Sequence, residues 1–277
     1  MSYSRILTIQ DISCLGQCSM TVALPILSAC GVETCILPSA VLSTHTGGFQ
    51  NFHVCDLTDQ IPAIHRHWQA ENILFDTIYT GYLGSTRQID MVLNIFRTMV
   101  KEDGKIVVDP AMADHGKLYY GFDQAYVDAM AKLCSEADIL VPNITEACML
   151  CGEDYREEYT EDWIRDLMAK LYRQTGATIV LTGVALQEGM TGIAVLENGE
   201  FWHYAHKKIT KSYHGTGDVY SSAFVGALSR GLSLRDSVQI AGDYTLACIE
   251  NTLDDPDHWY GVKFETAIPF LVNRLER

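Results

Sequence analysis

The stretch "SYHGTGDVYSSAFVGAL", residues 212–228, sets glycine, threonine and glycine directly before an aspartate and follows them with small and apolar residues. Glycine takes backbone angles that other residues resist, so 215–217 suits a sharp turn. The run after Asp218 has helical spacing, with Val219, Ala223 and Ala227 near one stripe. A helix start here offers free backbone N–H groups beside one carboxylate. Such an end suits a negative charge that grows during a reaction. Phosphoryl transfer from a nucleotide is one such reaction. Its catalysis is mostly positioning and charge stabilisation, with one group to take the proton of the attacking hydroxyl. Asp218 fits that base. It also fits a simple helix cap, where aspartate is favoured by about 1 kcal/mol. The four-residue pattern alone leaves both readings open.

Outward from this stretch, strand and helix patterns alternate. Strand-like runs lie at 4–10, 33–38, 77–79, 105–109, 138–141 and 178–181. Helical runs lie at 18–30, 57–70, 85–100, 123–135, 143–151 and 161–174, then from 217, from 234 and at the end of the chain. Segments 192–196 and 200–204 read as a hairpin about Asn198-Gly199. The alternation predicts an α/β fold, a doubly wound, mostly parallel sheet with helices on both faces. No linker, low-complexity tract or repeat interrupts it, so a single domain over 1–277 is expected. Ligands of such sheets bind at the carboxyl ends of the strands. That rule selects Asp11 and the segments 43–46, 80–85, 109–114, 143–146 and 182–183.

Bulk properties exclude several classes. The net charge is −15, which argues against a nucleic-acid partner. No apolar run approaches the roughly 20 residues of a membrane span, and no leader pattern opens the chain, so a cytoplasmic protein with no membrane partner is expected. Nine scattered cysteines, an odd number, fit reduced thiols. Cys148 and Cys151 form C-x-x-C without a second ligand pair for zinc, and read as small apolar side chains on a helix. His65 and His67 fall on different faces of a predicted helix and read as surface residues. Thr160 reads as a helix cap, Trp68, Trp163, Trp202 and Trp259 show no pattern linking them to a site, and "DDPDHWYG" at 254–261 reads as a solvated turn. The P-loop, the dinucleotide G-x-G-x-x-G and the G-x-S-x-G elbow are all missing.

"GTGD" at 215–218, "DPAMADHGKLY" at 109–119, "VPNITEA" at 141–147 and "TGYLGS" at 80–85 together resemble the ribokinase-like superfamily. "LSTHTGG" at 42–48 is similar to the Ser-x-His-Thr loop of its pyridoxal kinase branch. The resemblance covers nearly the whole chain, in order. It implies transfer of the γ-phosphoryl group of ATP, with Mg2+, to the 5′-hydroxymethyl of pyridoxal, pyridoxamine or pyridoxine; a monovalent cation such as K+ stays open. Carried over by motif, Asp218 is the base and Gly215, Thr216 and Gly217 form the anion hole. Asp109 sits near phosphates and metal, and Asn143 and Glu146 orient the magnesium through waters. Thr182 and Gly183 touch the nucleotide, and Tyr119 covers the phosphates. Tyr82 faces the pyridine ring or is a core tyrosine, and Ser43, His45 and Thr46 bond ring substituents. A homodimer is implied.

Two positions depart from the pattern. Asp11 stands where pyridoxal kinases usually carry serine, and is expected to favour a cationic or amino-bearing vitamer. His214 also precedes the motif in hydroxymethylpyrimidine kinases, which commonly carry cysteine at the place of Asp218. A kinase of hydroxymethylpyrimidine is the first rival. A vitamer carrier without turnover is the second, and the intact Asp218 weighs against it. A sugar kinase is the weakest, since the lid strands of that branch have no room in the short loops here.

Overall fold

The computed structural model describes residues 3–276, so positions 1, 2 and 277 of the expected domain lie outside it. In chain order the elements are β1 (Arg5–Ser13), α1 (Met20–Ala29), β2 (Glu33–Leu42), β3 (Val54–Asp56), α2 (Ile61–Ala70), β4 (Phe75–Thr80) and α3 (Thr86–Met99). There follow β5 (Val100–Val108), β6 (Ala113–Asp114), β7 (Lys117–Leu118), α4 (Gln124–Cys134), β8 (Ile139–Leu140), α5 (Ile144–Cys151) and α6 (Glu161–Thr175). The chain closes with β9 (Thr178–Val184), β10 (Met190–Glu197), β11 (Glu200–Lys207), α7 (Thr216–Ser229), α8 (Leu234–Glu250) and α9 (Ile268–Leu275).

Among the described residues, nine strands form one sheet in the order β11-β10-β9-β8-β5-β4-β1-β2-β3. The run from β2 to β9 is parallel, and antiparallel strands finish both edges. Neighbouring residues of the central strands enter opposite cores, as a side-chain period of two requires. Ile78, Val108 and Leu140 join the core beneath α2 to α6, while Tyr79, Val107 and Ile139 join the one beneath α1, α7 and α8. Both faces are buried, so these strands read as continuous apolar runs.

The winding places the crevice. From β1 the chain moves to β2 on one side, then returns to lay β4 on the other edge of β1. Strand order reverses there, and ligands of open α/β sheets bind outside the strand ends at such a point. The β1–β2 register also slips between Gln10 and Ile12, at Asp11. Irregularities of this kind re-aim side chains beside functional sites.

Three readings need correction. His65 is 6% exposed rather than on the surface, and its Nε2 lies 2.8 Å from Thr98 Oγ1. The predicted helix at 57–70 begins at Ile61, because 57–60 close a turn through Gln60 N–H to Leu57 O. Strand β5 starts at Val100, inside the run expected to be helical. The short strands β3, β6 and β7 carry no apolar period and were not expected.

Candidate active site

Four acids gather along the carboxyl edge of β1, β5, β8 and at the start of α7: Asp11, Asp109, Glu146 and Asp218. Asp218 is half-buried, and its Oδ2 accepts from Ser19 N–H at 2.9 Å. Burial pushes its carboxyl up to about 7; the Ser19 bond opposes the shift and the Asp11 charge adds to it. Asp109 accepts from Ser221 Oγ at 2.8 Å, and is raised by burial first and by Asp218 next. Glu146 is raised by burial and then by Asp109. Asp11, 3% exposed, is raised by burial against the hydroxyls of Ser19 and Ser13, the latter donating at 2.9 Å. Each group thus raises or is raised by a neighbour, with no cation among these causes. A negative cluster so arranged favours either protons or a bound cation.

Helix α7 starts at this cluster with its N-cap, Gly215, at φ 75°, and without a side-chain cap. The first intrahelical bond runs from Val219 N–H to Gly215 O, so the N–H groups of Thr216, Gly217 and Asp218 have no partner within the helix. A Cβ on Gly215 would lie 1.8 Å from Gln17 O, so only glycine fits the turn. The anion hole expected at Gly215–Gly217 therefore has the geometry of an open helix end.

Helix α5 starts differently. Asn143 Oδ1 accepts from Glu146 N–H at 2.9 Å while Glu146 Oε2 accepts from Asn143 N–H at 2.8 Å, a complete capping box. Glu146 Oε1 accepts from Met112 N–H, and Asn143 Nδ2 donates to Ala113 O. Both side chains are thus engaged by backbone, and they clamp the β6–β7 hairpin to α5. Both Glu146 oxygens accept from backbone N–H groups, which leaves the indirect part, through waters, that the motif implies for it. Asp109, with one oxygen held by Ser221, does suit a hydrated divalent cation, which takes few protein ligands. Tyr119 leaves that hairpin with its side chain 38% exposed. Its hydroxyl is pushed up by burial first and then by the charges of Glu146, Asp114, Asp109 and Asp218. Thr182 pairs with Asn143 across the β8–β9 end, and Gly183 beside it faces open space.

On the opposite side of the crevice, Tyr82 is half-buried and stacks on Phe122 at 5.5 Å, within reach of the Asp11 charge. His45 is 4% exposed and has no free ring nitrogen: Nδ1 accepts from Gly47 N–H at 3.0 Å and Nε2 lies 2.8 Å from Tyr260 O. Both ring nitrogens of His45 are thus bonded within the protein. Burial lowers its pKa, consistent with a neutral ring that donates from Nε2. Ser43 Oγ accepts from His53 N–H, and both Ser43 and Thr46 are exposed on the same loop.

The profile of the phosphomethylpyrimidine kinase family matches residues 23–261. The chain belongs to this family. Among its relatives, a pyridoxal kinase of Arabidopsis thaliana is 28% identical over 91% of this chain and 83% of its own. A solved pyridoxal kinase of Lactobacillus plantarum is 31% identical with a TM-score of 0.91, covering 98% of both chains. A Bacteroides thetaiotaomicron VPI-5482 protein, assigned provisionally as a phosphomethylpyrimidine kinase and crystallised with pyridoxal, is 33% identical at a TM-score of 0.92 over 98% and 96%. Some curated relatives are longer, and the chain spans about half their length. The doubly wound ribokinase-like fold and the pyridoxal kinase branch expected from the motifs both stand, and the chain is a kinase of this family.

Within this family frame, several site residues escaped the motif reading. Ser221 supports Asp109 from one helical turn beyond Asp218, a spacing that could have been read. The turn at 254–261 is largely exposed, as expected, but its end also packs on the loops of the site: Trp259 lies 4.7 Å from Phe49, Tyr260 O holds His45, and His258 Nε2 lies 2.7 Å from Gln17 Oε1. Ser19, at φ 53° and ψ −129°, gave no signal at all. A non-glycine residue held there carries strain of about 1–3 kcal/mol, a feature that clusters at functional sites.

Proposed function

We propose that this protein transfers the γ-phosphoryl group of ATP to the 5′-hydroxymethyl of a vitamin B6 vitamer, one of pyridoxal, pyridoxamine and pyridoxine. The observation that carries the reading is the Asp218 carboxylate beside the uncapped start of α7, at the point where strand order reverses. Asp218, held by Ser19 N–H and with a pKa near 7, takes the proton of the attacking hydroxyl. The N–H groups of 216–218 face the charge that builds on the transferring phosphoryl group. Asp109 would be the residue that holds Mg2+ through water, and the metal would supply charge neutralisation on the phosphates. Glu146 and Asn143 act one step back, by fixing the hairpin that carries Tyr119. Thr182 and Gly183 form the nucleotide side of the crevice; Asp11, Tyr82 and the 43–46 loop form the acceptor side.

The family's own description supports a second reading, phosphorylation of hydroxymethylpyrimidine or its phosphate. ADP release from the purified protein, measured against the three vitamers and hydroxymethylpyrimidine, separates the two. The expected result is vitamer-dependent ADP release with a 5′-phosphate product. A higher kcat/KM for hydroxymethylpyrimidine moves the assignment to the second reading. Vitamer binding without transfer marks a carrier.

A further inference from the structure

Gln88 stands in the first turn of α3, three residues after the N-cap Ser85, whose Oγ accepts from Gln88 N–H at 3.3 Å. In a capping box, a glutamine at this place reaches back to the N–H of the cap itself. Here it reaches one residue further, and Oε1 accepts from Gly84 N–H at 2.7 Å. The amide nitrogen serves the opposite side. Nε2 donates to Ser39 O at 3.0 Å and to Thr58 Oγ1 at 2.8 Å. A backbone N–H on one side and a carbonyl on the other fix which end of the amide is which. Gln88 is 1% exposed, and its amide group joins three segments of chain.

These segments are the roots of two crevice walls. Strands β2 and β4 flank β1 and run parallel to it, so the loops that leave them stand on either side of the β1 end. The loop after β4 carries Tyr82. Gly81 N–H holds it to Ile9 O at 3.2 Å, and the Tyr126 hydroxyl donates to Leu83 O at 2.6 Å. The arm after β2 runs through 43–53 to β3, and meets the turn at 258–260 through His45 and Phe49. All three residues of the returning strand β3 are exposed, so it brings no apolar anchor. Thr58, two residues beyond β3 and 4% exposed, is where that strand meets the body. We infer that Gln88 is a positioning residue that sets the spacing between the Tyr82 loop and the 43–53 arm, and with it the fit of the substrate held between them. The proposed kinase reading makes that substrate the alcohol acceptor; the tie itself stands without that reading.

Gln88→Met nearly keeps the volume and removes every bond of the amide. It strands no partner: Gly84 is open to water, Ser39 O keeps Leu57 N–H at 3.1 Å, and Thr58 Oγ1 keeps Asp56. Thr58→Val is the second variant, which cuts the bond to Thr58 and leaves Gly84 N–H bonded. In the free protein, amide hydrogen exchange followed by NMR should quicken about tenfold at both Gly84 and Leu57 in Gln88→Met, and at Leu57 alone in Thr58→Val. In turnover, Gln88→Met should raise KM for the vitamer about tenfold, with KM for ATP within about twofold and kcat within about threefold of wild type. Thr58→Val should show the same split at smaller size. Unchanged exchange at either amide in the methionine variant overturns the inference without reference to catalysis. An equal rise in both KM values overturns it too, as does a lower thermal midpoint with both KM values unchanged, which is the mark of a helix cap alone. If wild type phosphorylates no vitamer, the kinase reading has failed, and the exchange pattern alone decides whether Gln88 ties the two walls.

Discussion

Helices α5 and α7 begin on the same edge of the sheet, the first close after β8 and the second after a longer loop from β11, and are built to opposite purposes. The start of α5 is closed. Asn143 and Glu146 satisfy one another's backbone and reach further to Met112 and Ala113. The start of α7 is open. Its cap is a glycine in the left-handed region, with no side chain to meet the first N–H groups. A helix end carries the same four orphan donors and the same partial positive charge in both cases. What differs is whether the sequence supplies an internal acceptor. Where it does, the end becomes a clamp; where it withholds one, the end is left for an anion.

Asp218 gives the sharpest way to break the contrast. Asp218→Asn keeps the open helix end and removes the base, so turnover should fall by roughly 10²–10⁴-fold. Initial-rate ADP release measures it, and near wild-type rates would detach the open end from chemistry altogether. The next effect comes from the cap itself. Gly215→Ala forces a Cβ to within 1.8 Å of Gln17 O at φ 75°, so the turn must shift and the donors lose their aim. A loss of about 10²–10³ in kcat is expected, the usual scale for one misplaced oxyanion donor. Gly217→Ala leaves the turn in place, because no protein atom lies within 4 Å of its Cβ, so its loss in kcat should be smaller than that of Gly215→Ala.

The legible part of this molecule was the part set by local periodicity. Apolar runs such as "KIVVD" and "TIVL" marked central strands because both their faces are buried, and the strand-end rule then found Asp11, Asp109, Asn143 and Thr182. The open cap was legible too, since Gly-Thr-Gly before an acid leaves few other conformations. Contacts between distant loops were not. The bond from His45 to Tyr260 joins residues 215 positions apart, and nothing in "HWYG" announces a partner for His45. The conformation of Ser19 was hidden for a different reason: it opposes the residue's own preference, so sequence logic points away from it. Glu146 shows a third case, in which the motif was found and the atoms it bonds were not.

The closed helix should respond in stability more than in rate. Asn143→Ala removes the acceptor for Glu146 N–H and the donor to Ala113 O. Loss of such a cap costs about 1–2 kcal/mol, which lowers the thermal midpoint by roughly 2–8 °C. Turnover should fall only a few-fold, through loosening of the hairpin that carries Tyr119. A rate loss as deep as that of Asp218→Asn, with an unchanged midpoint, would place Asn143 in the chemistry and erase the distinction between the two helix starts.

The smallest effect lies in pH. The Asp218 carboxyl stands near 7 in the folded chain against 3.8 as its ordinary value. Between those two values the folded state holds a proton that the unfolded state has released. Stability from this group is therefore full below pH ~4 and is lost as pH rises through ~7. Turnover moves the other way, because the base accepts a proton only after losing its own, so kcat/KM should rise to a plateau above pH ~7. Asp11, Asp109 and Glu146 are raised as well and add to the stability slope. Asp218→Asn isolates the share of one group: thermal midpoints across pH 4.5–8 (about the window named above) should fall less steeply than in wild type. Parallel curves would mean that the proton resides on the neighbouring acids, and that the open helix end holds its carboxylate ionised throughout.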